Sequence, residues 1–210
     1  MHLGAGAGGQ APPSWSPPAA VLLTPGAGSD RNHPGLVAIE AALAPMPVER
    51  VDFPYRREGR RAPDRAPKLV ATVVEAAAAL AARTGAAPDA VLLGGRSMGG
   101  RMCSMAVAEG LPAAGLVLLS YPLHPPGRPE RPRTSHLPAL ALPCLFVSGT
   151  RDPFATPAEL EEATAAIPGP VTHVWVHGGR HDLKGADGLV AEAVATWVRG
   201  LLHSTADLRG

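Results

Sequence analysis

A chain of 210 residues, 46% hydrophobic but only 4% aromatic, is long enough for one domain with a sizeable core, built from Val, Leu and Ala rather than large rings. Its 19 basic and 18 acidic side chains leave a formal charge of +1, which gives no electrostatic case for nucleic acid or an anionic membrane as partner. Two cysteines, Cys103 and Cys144, with no C-x-x-C spacing or His/Cys cluster, argue against a disulfide framework and a structural zinc and fit a cytoplasmic protein.

Residues 1–18 are rich in Gly, Ala, Pro and Ser and read as a loose lead-in, followed by a domain over residues 19–203 and a tail over residues 204–210. The lead-in lacks the basic start and continuous apolar run of a signal peptide. Its glycines resemble a phosphate loop in content only, since no strand precedes them and no Gly-Lys-Ser/Thr follows. Pro, Gly or charge interrupts every apolar run before membrane-spanning length.

Residues 20–24 form a short apolar run of the kind that suits a parallel strand covered on both faces. Pro25-Gly26-Ala27-Gly28 follows, either as simple punctuation or as a loop whose small side chains let the Ala27 N–H approach a reacting carbonyl oxygen. A helix is expected over residues 35–43 and an alternating strand over residues 48–53, ended by Pro54. Residues 55–61 carry four arginines with Glu58 among them and read as a solvated loop. Residues 68–84 are alanine-rich with apolar side chains at helical spacing, and the helix stops at Gly85.

The stretch Val91-Leu92-Leu93-Gly94-Gly95-Arg96-Ser97-Met98-Gly99-Gly100 reads as strand, sharp turn and helix, with a serine at the apex and the helix continuing over residues 101–109. A nucleophile elbow needs this composition. The serine backbone is strained, and the positions two before and two after it lie too close to neighbouring backbone for any but the smallest side chains. The start of the following helix would offer the Met98 N–H to a developing oxyanion, and with an elbow downstream the Ala27 loop reads as the second donor.

Further strands are expected over residues 115–120, 142–149 and 171–176, with a capping box at Thr156-Pro157-Ala158-Glu159 and a closing amphipathic helix over residues 188–202. Residues just beyond the carboxyl ends of parallel strands line the ligand crevice in open α/β sheets, which makes Tyr121, Leu123, His124 and Phe154 pocket candidates. An ordinary exposed loop histidine is an equal reading of His124.

Strands and helices alternate throughout, so the expected architecture is a three-layer α/β fold with a mostly parallel sheet. Ser97, Asp152 and His181 each follow a different strand, in the order nucleophile, acid, base. Taken singly, Asp152 reads equally as a turn residue, and His181 as an exposed loop histidine. Taken together they form a catalytic arrangement: His181 accepts the serine proton, Asp152 orients the imidazole, and Ser97 attacks. Asp182, adjacent to His181, is poorly placed to serve as the acid.

Five stretches carry a resemblance to a known family: residues 22–30, residues 94–101, residues 120–127, Val147-Ser148-Gly149-Thr150-Arg151-Asp152-Pro153-Phe154, and Gly179-Arg180-His181-Asp182. The chain resembles the α/β-hydrolase superfamily, specifically its dienelactone-hydrolase-like branch and the small hydrolase-like family that includes a subunit of a eukaryotic histone-acetyltransferase complex. The resemblance implies the family's fold and catalytic geometry, with a sheet reduced in this chain to about six to seven strands. Members usually carry histidine where Pro25 stands, and often one or two antiparallel strands before the oxyanion loop that this chain lacks. Dienelactone hydrolases proper use cysteine where this chain has Ser97.

The resulting expectation is a serine esterase acting on a small acyl substrate, with no cofactor and no metal. The connection over residues 121–138 is too short for a large helical cap, which predicts an open site. Two alternatives stay open at this level: a non-enzymatic scaffold that retains the fold, and an acyltransferase or peptidase with the same triad.

Overall fold

Continuous apolar runs become interior strands because helices cover both faces of the sheet they form. In the computed structural model, which describes residues 15–206, six strands lie in the order β2-β1-β3-β4-β5-β6, every neighbouring pair parallel. They are β1 (Ala20–Thr24), β2 (Val48–Arg50), β3 (Val91–Arg96), β4 (Gly115–Leu119), β5 (Cys144–Gly149) and β6 (Val171–Val176). Six strands fall within the expected range, and no antiparallel strand occurs among the described residues.

Side chains alternate between the two faces along each strand. Ala20, Leu22, Leu93, Leu116, Leu118 and Phe146 enter one core layer with helices α3 (Ala66–Thr84), α4 (Met98–Ala108) and α5 (Pro157–Thr164). Val21, Leu23, Leu92, Val117, Leu145 and Val147 enter the other, with α1 (Pro34–Leu43) and α6 (Asp187–Ala206). Leu93 is fully buried at the centre of the sheet, where truncation to Ala would cost about 2–5 kcal/mol.

Local sequence sets the helix ends. Gly85 terminates α3 in the left-handed conformation, φ 72°, and the Thr156/Glu159 capping box opens α5. The arginine stretch expected as a loop instead begins with a helical turn, α2 (Pro54–Arg57). Pro54 presets φ at its first position, and Phe53 and Tyr55 are both buried, ring centroids 6.5 Å apart. Strand β2 is correspondingly shorter than the alternation suggested. Helix α6 runs past residue 202 to Ala206.

The expected lead-in lies outside the described residues as far as residue 14, and the tail does so from residue 207. From Ser16 onward the chain lies against the domain: Ser16 Oγ donates to Asp89 Oδ2 at 2.7 Å and the Ala19 N–H to the Ala90 carbonyl at 2.8 Å. Between β4 and β5 the only regular element is one 3₁₀ turn, Leu137–Ala139, so no large cap covers the sheet edge. Among the described residues no helix is long and apolar enough to cross a membrane.

The strand order reverses between β1 and β3: the chain leaves β1 outward to β2 and returns to β3 on its other side. In a parallel sheet this reversal opens a crevice at the carboxyl ends of the two strands. The glycine loop after β1 and the serine after β3 both lie there.

Candidate active site

Ser97 stands between β3 and α4 with φ 50° and ψ −117°, outside the regions a serine normally occupies. Its N–H is held by the Leu119 carbonyl at 2.7 Å. The flanking glycines explain why the turn tolerates no larger residue. A Cβ on Gly95 would fall on Thr24 Oγ1 and within 2.7 Å of the Gly100 nitrogen, and one on Gly99 would lie 2.6 Å from Thr24 Oγ1. The elbow is therefore packed directly against the end of β1 and the loop that follows it.

His181 Nε2 lies 2.8 Å from Ser97 Oγ. On its other side, Nδ1 lies 2.8 Å from Asp152 Oδ2 and 3.0 Å from Oδ1. An ionised carboxylate only accepts, so the proton belongs on Nδ1, which leaves Nε2 to accept from the serine hydroxyl. The Asp152 side chain is 1% exposed and the His181 side chain 20%. Asp152 Oδ1 also accepts from the Phe154 N–H at 2.8 Å, so the same aspartate shapes its turn and meets the imidazole. Asp182 is exposed and accepts from the Lys184 N–H at 3.3 Å, while the carboxylate that meets His181 Nδ1 is that of Asp152.

Two neighbours hold the histidine loop. Arg96 Nη2 donates to the His181 carbonyl at 2.8 Å, and the Phe154 ring stacks on the imidazole with centroids 3.9 Å apart. Burial lowers the Arg96 pKa, countered by Asp182, Asp152 and Asp187.

These groups open onto a cavity of about 940 Å³. Ala27 and Met98 line it, and Met98 is the first residue of α4, where an N–H has no partner within the helix. The Ala27 carbonyl is turned the other way, accepting from Tyr55 Oη at 2.8 Å. Pro25, between β1 and the glycine loop, is buried.

Of the four pocket candidates, Phe154 lines the cavity and the other three do not. Tyr121 is buried, its hydroxyl donating to the Arg133 carbonyl at 3.1 Å. Leu123 and His124 line a separate depression beside α5, where His124 Nε2 lies 3.6 Å from Glu159 Oε2. The reason is local: Ser120 takes φ 48°, which breaks the strand's alternation, and the wall position falls to Pro122 instead. Arg101, Arg133 and His33 also face the cavity, and the sequence reading did not single them out. Arg101 carried one usable signal, a position one helical turn after Ser97.

Residues 17–197 match the family model for an alpha/beta hydrolase domain, and the chain belongs to that family of hydrolases. Three solved structures show the likeness. Est1E from Butyrivibrio proteoclasticus superposes with a TM-score of 0.71 at 16% identity, covering 91% of this chain and 92% of that one. Dienelactone hydrolase from Anabaena variabilis gives 0.69 at 21% identity, covering 90% and 88%. The esterase domain of a Rhodothermus marinus protein gives 0.66 at 17%, covering 90% and 89%. At these identities the likeness is one of fold.

Proposed function

We propose that the protein is a serine hydrolase of small carboxylic esters, working through an acyl-enzyme. The observation that carries this reading is the unbroken hydrogen-bonded relay Asp152–His181–Ser97, with 2.8 Å at both links, facing an open cavity. A serine hydroxyl is a weak nucleophile near neutral pH and needs a base within hydrogen-bond reach.

In this reading Ser97 Oγ adds to the ester carbonyl while His181 Nε2 takes its proton, and Asp152 steadies the imidazolium. The Met98 and Ala27 N–H groups hold the tetrahedral oxyanion, each worth about 3 kcal/mol of barrier. Collapse breaks the C–O bond, and His181 returns the proton to the departing alcohol. Water, activated by the same imidazole, then releases the acid and frees Ser97. We place the reaction in the reducing cytoplasm, where the buried free thiols of Cys103 and Cys144 persist.

p-Nitrophenyl esters of rising acyl length test the proposal. Short acyl chains should be hydrolysed, and Ser97→Ala and His181→Ala should each lose a factor of about 10³ or more in kcat. An unchanged rate in Ser97→Ala would remove the serine from the reaction.

A further inference from the structure

Four arginines and two aspartates line the cavity at Ser97, and the charges do not all find partners. Arg56 Nη2 lies 3.9 Å from Asp30 Oδ2. Asp64 is occupied by Arg60 at 2.9 Å and Lys68 at 3.3 Å. Arg96 is engaged by the His181 carbonyl. Arg101 and Arg133 remain, and among the described residues neither has a carboxylate within ion-pairing distance.

The surroundings sharpen this imbalance. Arg101 Nε is buried without a hydrogen-bond partner. Burial, and then the nearby Arg101 charge, hold Arg133 below the usual arginine value. His136 is pushed down to about 4 and is neutral at pH 7, and the Tyr121 phenol is pushed up to about 12 and keeps its proton. Placing two neighbouring cations on a half-buried wall is unfavourable unless an anion completes the arrangement.

Their positions relative to the serine are fixed by backbone. The Arg101 N–H donates to the Ser97 carbonyl at 3.1 Å, so the two residues share one face of α4. Arg133 comes from the connection between β4 and β5. It is pinned by its N–H to the Leu123 carbonyl at 2.7 Å and by Tyr121 Oη to its own carbonyl at 3.1 Å.

We propose that Arg101 and Arg133 form an anion subsite, and that the substrate is an ester bearing a carboxylate or phosphate group apart from its scissile bond. The ester half of this statement rests on the serine-hydrolase reading; the anion half does not. Hydrolysis itself is unaltered: water contributes hydroxide to the acyl carbon and a proton to the leaving alcohol, and the charged group passes through unchanged. The guanidinium pair would set which ester enters and how it is oriented.

The test titrates full-length Ser97→Ala protein, monitored by NMR, with monomethyl glutarate, its neutral diester dimethyl glutarate, and monomethyl phosphate. We expect the glutarate monoester to bind at least about tenfold more tightly than the diester, a difference worth ~1.4 kcal/mol. Arg101→Gln and Arg133→Gln should each remove that preference. Arg128→Gln, an exposed arginine of the same connection that does not line the cavity, should keep it. Arg133 is anchored through its backbone, so its substitution tests the subsite even if Arg101→Gln folds poorly by circular dichroism. Competition by monomethyl phosphate distinguishes phosphate from carboxylate as the preferred anion. Equal affinity for monoester and diester, or a preference surviving both substitutions, overturns the subsite. Wild-type hydrolysis of p-nitrophenyl butyrate is read separately: a preference without hydrolysis retains the subsite and removes the hydrolase, and hydrolysis without a preference does the reverse.

Discussion

The phenyl ring of Phe154 lies 3.9 Å, centroid to centroid, from the imidazole of His181, with the ring planes 26° apart. Phe154 also donates its N–H to Asp152, so one residue touches both the imidazole and the carboxylate that orients it. A ring face packed on an imidazole holds it in one orientation, a contact worth about 0.5–1.5 kcal/mol. We expect Phe154→Leu to lower kcat for a short p-nitrophenyl ester by roughly 2- to 12-fold, with the fold intact by circular dichroism. An unchanged kcat would mean the ring only fills space.

Tyr55 reaches the glycine loop from the opposite side, donating from Oη to the Ala27 carbonyl at 2.8 Å. A peptide unit tied at its carbonyl has less freedom to rotate, which favours a fixed direction for the neighbouring N–H groups. Removing the hydroxyl forfeits a hydrogen bond worth about 1 kcal/mol. Tyr55→Phe should therefore reduce kcat about fivefold while leaving KM nearly unchanged. A rise in KM alone would assign Tyr55 to substrate binding instead.

At Gly95 the added methyl of alanine would meet Thr24 Oγ1 at the end of β1 and the Gly100 nitrogen in the first turn of α4. Backbone on one side and a buried threonine on the other leave little room to yield. Gly95→Ala should lower unfolding free energy by about 1–3 kcal/mol in urea titration and reduce activity at the same time. Full stability with full activity would contradict this packing.

How much of this was legible before the structure depends on the range of the interactions. The parallel sheet was readable because helices cover both faces and each interior strand is a continuous apolar run, as in Val91-Leu92-Leu93. Ser97, Asp152 and His181 stood out because each follows a different strand, and strand ends converge in this topology. The cavity wall was less legible. Arg101 sits in an ordinary helical pattern and Arg133 in a proline-rich connection, and which of several arginines faces inward is decided by packing between elements distant in sequence. Tyr121 illustrates the same point in reverse: it follows a strand, but the left-handed turn at Ser120 carries its side chain into the core.

Acid sensitivity should show the burial of His136. Its imidazole pairs with Ser104 Oγ at 2.8 Å, and burial pushes its pKa from 6.5 to about 4. The unfolded chain thus takes up this proton at higher pH than the folded one. The histidine's contribution to stability is complete above about pH 6.5 and is lost as pH falls through about 4. Urea midpoints measured between pH 7 and 4 should fall less steeply for His136→Gln than for the wild type, and parallel slopes would contradict the assignment.

The most direct test of the central claim is to treat the purified protein with a fluorophosphonate and locate the adduct by peptide mass spectrometry. We expect a single adduct on Ser97, absent from Ser97→Ala and strongly slowed in His181→Ala. An adduct on another residue, or labelling that persists in Ser97→Ala, would contradict the account.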